Sequence, residues 1–278
     1  MRIQFLGTGT SHGVPMIGCN CDVCLSSDPN NHRMRPSIVV SHGEHSVLVD
    51  TTPELRMQAI RFGLKRVDAV LVTHTHADHI MGLDDMRRFN DLADAEIPVY
   101  GEPNVLEDIK RIFNYVFRVT QAGGGKPRLT LHELPDKFNL YGIDITPLRV
   151  IHGKLPVIAY RFDVPGDSGK LLSGAYVTDV SEIPAETMAR LRNLDLLILD
   201  AVRFEPHVTH FGLYQALDVI AELKPKRALL THLSHHFDHS RTNALLPEHV
   251  RLAYDGQLVE FGNTGAADII PEHAPRLI

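Results

Sequence analysis

His74-Thr75-His76-Ala77-Asp78-His79 is the stretch that decides the fold of this chain. It follows an apolar run, Ala69–Val72, which predicts a buried strand that delivers these side chains to the loop at its end. His74 and His76 alternate and can aim at one point, while Asp78 and His79 begin the next turn and aim at an adjacent point. Because imidazole and carboxylate suit zinc, iron or manganese, this clustering predicts a metal site rather than separate structural or solvated side chains.

The composition is that of a folded domain with a substantial core. The chain has 278 residues, 44% hydrophobic and 22% charged, so it needs no disulfide to be stable, and we expect one domain over residues 1–278. The net charge of -6 gives no reason for strong nonspecific attraction to nucleic acid or to an anionic membrane surface. Neither is an expected partner.

The cellular compartment is predicted from the first residues and from the cysteines. The start, MRIQFLGTGT, lacks the basic and apolar stretches of a signal peptide, and no later apolar run is long enough to span a bilayer. The cytoplasm is therefore the expected location. In that reducing setting the three cysteines, Cys19, Cys21 and Cys24, are predicted to be metal ligands rather than disulfide partners, and their odd number agrees.

Hydrophobic periodicity predicts a mixed α/β protein. Short β-rich runs predict strands at Ile3–Leu6, Ser37–Val40, Ser46–Val49, Ala69–Val72, Ile143–Val150, Ile158–Val164, Ala175–Thr178, Leu196–Leu199 and Ala228–Leu230. Apolar residues at three- and four-residue spacing predict helices at Pro53–Phe62, Asn104–Phe117, Glu186–Leu194 and Leu213–Leu223. This order favours a sandwich of sheets with helices outside. Gln121–Pro127 is predicted to be a loop, either a plain connection or the border of a substrate pocket.

The H-x-H-x-D-H pattern of residues 74–79 resembles the hallmark of the metallo-β-lactamase superfamily. In that family a third histidine follows a later strand, a bridging aspartate ends another strand, and a last histidine ends a late buried strand. His152, Asp179 and His232 fill these positions in the same order, although each alone could be a turn or cap residue. The resemblance covers nearly the whole chain and implies an α/β fold, the αββα sandwich of two mixed β-sheets with helices on the outer faces.

The resemblance also implies how the ligands divide between two divalent ions, zinc or manganese. It places His74, His76 and His152 on one ion, Asp78, His79 and His232 on the other, and Asp179 between them. Asp50, which ends the strand Ser46–Val49, looks like the buried carboxylate that orients ligand histidines in this family, but a turn-initiating role is equally open.

The cysteine cluster Cys19-Asn-Cys21-Asp-Val-Cys24 reads as three corners of a structural zinc site. Here the resemblance narrows to the cyclic phosphodiesterase of the carbon–phosphorus lyase pathway (the PhnP type), in which a histidine three residues after the last active-site histidine completes the cluster. His235 occupies that position. Two alternatives are that the cysteines are only small buried side chains, or that His236 or His239 is the fourth ligand. A zinc here would tie the N-terminal loop to the loop that carries His232.

The activity implied is hydrolysis of a small, cyclic phosphodiester by a hydroxide that bridges the metals. His210 matches the histidine that protonates the leaving oxygen in phosphodiesterases of this superfamily, and Asp78 is expected to be both ligand and proton acceptor. His207 has no comparable assignment, and solvent exposure is its default.

Three other functions fit the same ligands. A tRNA 3′-processing nuclease would need a protruding basic, Gly-rich arm, and the mixed charge of residues 101–128 argues against one. A lactone or thioester hydrolase would have less use for His210, because a thiolate leaves without an acid. A protein resembling the pyrroloquinoline quinone biosynthesis accessory protein would also have the cysteine cluster. Missing metal ligands would favour that function, and here all seven positions are filled. The resemblance also implies a homodimer.

Overall fold

Two β-sheets form the centre of the structure, a computed structural model that describes residues 1–118, 125–166, 169–262 and 265–269. The larger sheet has eight described strands and the smaller has seven, in the orders β15-β14-β1-β2-β3-β4-β5-β6 and β13-β12-β11-β10-β9-β8-β7. The strands are β1 (Arg2–Gly7), β2 (Ser37–His42), β3 (His45–Val49), β4 (Ala69–Leu71), β5 (Ile97–Gly101), β6 (Leu129–Glu133), β7 (Phe138–Leu140), β8 (Ile143–His152), β9 (Leu155–Pro165), β10 (Leu171–Val177), β11 (Leu196–Asp200), β12 (Arg227–Thr231), β13 (Val250–Leu252), β14 (Leu258–Gly262) and β15 (Gly265–Ile269).

Helices connect these strands and cover the outer faces of both sheets. The α-helices are α1 (Leu55–Phe62), α2 (Ala77–Ile80), α3 (Met86–Ala93), α4 (Pro103–Ile112), α5 (Asn114–Phe117), α6 (Ala185–Arg190), α7 (Leu213–Leu223) and α8 (His239–Asn243). Short 3₁₀ turns lie at Pro29–Asn31 and Leu83–Asp85. In the described part of the chain, no helix has both the length and the apolar character needed to cross a membrane.

Alternation along the strands produces the layers. In β4, Ala69 and Leu71 pack between the two sheets, while Val70 faces the helices α1, α3 and α4 on the outer side. In β11, Leu196 and Ile198 face the space between the sheets, while Leu197 and Leu199 face α7. Since both faces of each sheet are apolar, both must be covered, and the predicted αββα sandwich is confirmed.

The predicted strands and helices occur close to their expected positions, with corrections at the ends. The helix predicted as Asn104–Phe117 is two helices, because Phe113 leaves the helical region (φ -101°, ψ 40°). The helix predicted as Glu186–Leu194 stops at Arg190, since Leu191 turns into the core and Asn193 has φ 60°. Of the predicted loop Gln121–Pro127, residues 121–124 lie outside the described residues, and residues 125–127 have no regular secondary structure.

Parallel strands bring the ends of several segments to one edge. In the larger sheet β3 runs parallel to β4, and in the smaller sheet β10, β11 and β12 run parallel to one another. β8 has the same direction as β10, because both pair antiparallel with β9. The sheets are joined at this edge, where the Tyr160 hydroxyl donates to the Val72 carbonyl at 2.7 Å. One region at this edge is therefore surrounded by the carboxyl ends of six strands, β3, β4, β8, β10, β11 and β12.

Candidate metal centre

All seven predicted ligands of the dinuclear site lie at this edge. His74, His76, Asp78 and His79 follow β4, with Asp78 and His79 on the short helix α2, and His152 is the last residue of β8. Asp179 follows β10, and His232 follows β12. Asp179 (φ 54°) and His232 (φ 58°) have left-handed backbones, as does Asp50 (φ 63°) after β3. Such conformations cost free energy in residues with a side chain, and they cluster at functional sites, where the surrounding structure holds them in place.

The ligand atoms form two groups that meet at Asp179. In one group, ligand atoms of His74, His76 and His152 lie within 4.8 Å of one another, and in the other those of Asp78, His79 and His232 do. The two carboxylate oxygens of Asp179 lie 3.3 Å from His79 Nε2 and 3.3 Å from His232 Nε2, and Oδ1 lies 4.0 Å from His152 Nε2. Two further sets overlap with these, namely His74, His79 and Asp179, and His152, Asp179 and His210, so the division that the sequence resemblance implied stays a prediction.

Unpartnered nitrogens within these groups test whether the residues fit metal ions. The Nε2 atoms of His74, His79 and His232 are buried and have no hydrogen-bond partner among the described residues. A buried polar atom without a partner costs about 1–3 kcal/mol, and a cation bound between these nitrogens and the nearby carboxylates would remove that cost. Divalent cations satisfy imidazole lone pairs and carboxylates together, and the donor set therefore fits them.

Asp50 orients His79 directly and His74 through Thr73. This favours the ligand-orienting role of Asp50 over the turn-initiating role. It is fully buried, and its Oδ2 accepts a hydrogen bond from His79 Nδ1 at 2.7 Å. The Thr73 backbone N–H and hydroxyl also donate to Asp50, each at 2.8 Å. Because the Thr73 hydroxyl proton is used for Asp50, its oxygen accepts from His74 Nδ1 at 3.0 Å. These bonds keep the Nε2 lone pairs of both histidines free for a metal.

Charge interactions set the protonation states of the cluster. Burial lowers the pKa of His74 well below its usual value, and burial also lowers the pKa of His152. Burial would lower the pKa of His79 as well, but the carboxylates of Asp179, Asp50 and Asp78 outweigh it and raise the pKa. Burial opposes ionisation of Asp78, yet His79 and His232 hold its pKa well below the usual range. Cations bind ionised carboxylates and neutral imidazoles, so Asp78 is already in its binding form, whereas a cation would displace a proton from His79.

Asp200 is a site residue that the sequence reasoning did not assign. It is fully buried at the end of β11, and its Oδ2 accepts from His210 Nδ1 at 2.7 Å and from the Val180 backbone N–H at 2.9 Å. The His210 ring lies against the rings of His152 and His232, with centroid distances of 4.5 and 4.6 Å. The available signal was an aspartate ending an apolar strand, as Asp50 does, with a histidine ten residues later.

The predicted structural zinc ligands also come together. Ligand atoms of Cys19, Cys21, Cys24 and His235 lie within 4.8 Å of one another, and His235 Nδ1 is 3.3 Å from both Cys19 Sγ and Cys21 Sγ. Backbone N–H groups donate to Cys24 Sγ and Cys21 Sγ at 3.4 Å. The hydrogen bond that Cys21 Sγ accepts from the Cys24 backbone N–H is the largest cause that lowers the pKa of Cys21 to about 6, whereas burial raises the pKa of Cys24 to about 11.

Neither alternative histidine joins the cysteine cluster. His236 Nδ1 is engaged by the Ser234 hydroxyl at 2.8 Å, and the His239 ring packs edge-on against Tyr254. His235 is thus the histidine that the fold places beside the thiols.

The cluster sits where the N-terminal loop meets the segment that carries His232. The Leu233 backbone N–H donates to the Thr8 carbonyl at 2.8 Å, and Thr10 N–H donates back to the Leu233 carbonyl at 3.2 Å. The buried Arg33 guanidinium donates to the carbonyls of Ser234 at 2.9 Å and Phe237 at 2.7 Å. The two segments are therefore fastened to each other on both sides of the cysteines.

Comparison with known proteins shows the family to which the chain belongs. Residues 45–233 match the family described as the beta-lactamase superfamily domain. The chain belongs to this superfamily. With its two-sheet architecture, this member of the superfamily is a hydrolase of the metallo-β-lactamase type.

Individual relatives show which members of the superfamily this chain resembles. A crystal structure of a new diphosphatase from the PhnP family is 41% identical, with a TM-score of 0.84 and coverage of 94% of this chain and 97% of that one. The predicted likeness to the PhnP type is confirmed. A curated relative, the octanoyltransferase of Porphyromonas gingivalis, is 38% identical over 92% of this chain but only 51% of its own length. This chain thus spans about half of that relative. The coenzyme PQQ synthesis protein B of Methylobacterium nodulans is 25% identical over 72% of each chain.

Proposed function

We propose that this superfamily member is a dinuclear metal-dependent phosphodiesterase that cleaves a small phosphodiester, with a cyclic phosphodiester as the substrate class. One observation carries the proposal. His210 is fixed by a buried carboxylate and lies directly against two of the ligand histidines, His152 and His232. A proton donor thus stands beside the place where two cations would hold a phosphate.

Each of the two proposed ions would be held by one of the two groups of ligand atoms described above. His74, His76 and His152 would hold one ion, Asp78, His79 and His232 the other, and Asp179 would contact both. Two such ions supply Lewis acidity and a water of lowered pKa to an in-line displacement at phosphorus. Zinc and manganese both suit this donor set. For the second cluster we propose one structural zinc on Cys19, Cys21, Cys24 and His235.

His210 would deliver the proton that the leaving oxygen needs. Because its Nδ1–H donates to Asp200, Nε2 is the atom available to the substrate. The hydrogen bond to Asp200 fixes the orientation of the His210 ring, which keeps Nε2 in place beside the reaction. Asp78, whose Oδ2 lies 3.4 Å from His79 Nε2 and 3.9 Å from His232 Nε2, would serve as ligand and proton acceptor.

The fixed acid favours phosphodiester cleavage over the carbonyl alternative. An alkoxide is a poor leaving group and gains from protonation, whereas the thiolate of a thioester departs without it. The 41% identical neighbour is a diphosphatase, whose substrate bond also joins phosphorus to oxygen. The octanoyltransferase is about twice as long as the aligned part, so the remainder of that protein can carry the acyl transfer. The complete ligand set argues against a non-enzymatic accessory role.

Metal content and phosphodiesterase turnover test the proposal together. Wild-type protein should contain about three ions per chain by elemental analysis and should hydrolyse bis(p-nitrophenyl) phosphate. Asp179→Ala should lose that turnover, because Asp179 contacts both ligand groups. Asp218→Ala, an exposed carboxylate on α7, is the matched control and should behave as the wild type. One ion or none, with no cleavage after reconstitution with zinc or manganese, would contradict the proposal.

His210→Ala separates the acid from the metal ligands. The variant should keep the metal content of the wild type while its turnover falls by about 10²- to 10⁴-fold, the usual contribution of a general acid. Unchanged turnover would remove the role assigned to His210.

A further inference from the structure

The loop between β11 and α7 is fixed at its base and braced along its length. The Val202 backbone N–H donates to the Phe211 carbonyl at 2.9 Å, and the Leu213 N–H donates to the Arg203 carbonyl at 2.8 Å. The Arg203 guanidinium donates to the Pro206 carbonyl at 2.7 Å, inside the loop. This loop, residues 201–212, therefore holds its side chains in set positions.

Thr209 fixes the loop to the metal ligands. Its carbonyl accepts from His152 Nδ1 at 2.7 Å. Its methyl group also packs on Gly153, where an added Cβ would come within 2.8 Å of Thr209 Cγ2. The neighbouring side chains of the loop are consequently placed relative to the proposed metal site.

His207 lies beside His210 on this loop, contrary to the solvent exposure expected from the sequence. Its ring is half-buried, with its centroid 5.3 Å from that of His210. The Thr209 backbone N–H donates to His207 Nδ1 at 3.3 Å, and the Thr209 hydroxyl lies 3.2 Å from the same atom. Because Nδ1 accepts, the proton of the neutral ring is on Nε2. Burial, together with His210 and Arg203, lowers the pKa of His207 and favours that neutral form.

The free donor of His207 has no use within the described part of the chain, where Nε2 has no hydrogen-bond partner. We propose that His207 is a leaving-group subsite whose Nε2–H binds an oxygen of the departing group close to the scissile bond. The inference rests on the proposed function, since it takes His210 as the acid. A leaving oxygen bonded to His210 places the rest of the leaving group next to this loop. An imidazole 5.3 Å away can reach an oxygen a bond or two further out.

The chemistry of the subsite selects among leaving groups. A sugar with a neighbouring hydroxyl and a second phosphate both offer an accepting oxygen near the broken bond. A p-nitrophenolate offers none there, because its nitro group is at the far end of the ring. His207 should therefore contribute more to cleavage of the first two kinds of substrate than to cleavage of an aryl ester.

The test compares kcat/KM for three substrates on the metal-loaded protein. Bis(p-nitrophenyl) phosphate has an aryl leaving group, cyclic AMP has a leaving oxygen with a neighbouring sugar hydroxyl, and ADP-ribose has a phosphate in its leaving group. In His207→Ala, kcat/KM for the acceptor-bearing substrate should fall about 3- to 10-fold further than for the aryl ester, the factor of one neutral hydrogen bond. A larger loss of kcat/KM with cyclic AMP would identify a sugar hydroxyl as the acceptor, and a larger loss with ADP-ribose would identify a phosphate oxygen.

Two amide variants show which ring nitrogen matters. His207→Gln can place an N–H near the position of Nε2 and should recover most of the loss, whereas His207→Asn can replace only Nδ1 and should match His207→Ala. Val208→Ala, at a side chain that is 86% exposed, is the control for disturbing the loop. Equal losses on all three substrates, or equal losses in the Gln and Asn variants, would overturn the subsite. If the wild type cleaves none of the substrates, the proposed function fails, and the subsite fails with it.

Discussion

Replacing Asp50 by Asn should weaken the metal site without changing its backbone. Asn tolerates the left-handed conformation that Asp50 has (φ 63°) and has the same shape. The wild-type carboxylate accepts three hydrogen bonds, from His79 Nδ1, the Thr73 N–H and the Thr73 hydroxyl. An amide has one oxygen and one NH₂ group, so it cannot accept on both sides.

Each orientation of the new amide places a donor against a donor. If the NH₂ faces His79 and the Thr73 hydroxyl, the protons of His79 and His74 are driven to their Nε2 atoms, which are the proposed metal ligands. If it faces the Thr73 N–H, one buried donor loses its partner, which costs about 1–3 kcal/mol. We expect metal affinity to fall about 10- to 100-fold, the usual effect of removing a carboxylate behind a ligand histidine, or about 1.4–2.8 kcal/mol.

Competition with a zinc chelator measures this loss, and urea unfolding of the metal-free protein measures any cost to the fold. The zinc on the cysteine cluster should remain, since Asp50 does not contact it. Asp195→Asn is the matched control, because Asp195 is also buried (2% exposed) but pairs with Lys226 away from the site. It should lower stability and leave metal affinity alone. Wild-type affinity together with wild-type stability in Asp50→Asn would refute the hydrogen-bond argument.

Three further outcomes follow from the packing. Burial raises the pKa of Asp255 from 3.8 to about 7, so its contribution to stability is complete below about pH 4 and is lost as pH rises through 7. Asp255→Asn should flatten the part of this fall between pH 5 and pH 8, on the order of 3 kcal/mol, in urea unfolding at those two pH values. Gly82→Ala should prevent stable folding, measured by circular dichroism, because its Cβ would lie 1.9 Å from the Thr52 carbonyl oxygen. In the control Gly43→Ala, the Cβ meets no atom within 4 Å, so this variant should lose only the stability that corresponds to the strain of its positive φ. His235→Ala should lose one zinc by elemental analysis and lower the melting temperature, whereas His236→Ala should keep that zinc.

The sequence by itself determined the parts of this protein that depend on neighbouring residues. The continuous apolar run Ala69–Val72 was enough to predict a buried strand, and strand β4 is found there. The spacing of residues 74–79 on the loop and first turn after β4 was enough to predict two adjacent groups of ligands. With the order of His152, Asp179 and His232, this gave the family and the sandwich.

Tertiary structure alone decided which distant residues serve these ligands. Asp200 has only a weak local signal and Thr209 has none, because an aspartate at the end of a strand and a backbone carbonyl in a loop are both common. Their roles arise only when β8, β10, β11 and β12 end at the same edge and bring Asp200 to His210 and Thr209 to His152. The same holds for His207. Its functional neighbour His210 is only three residues away in sequence, but the folded loop decides that Nδ1 of His207 is occupied and Nε2 is free. Contacts between segments far apart in sequence are set by packing of the whole chain, so no local window contains them.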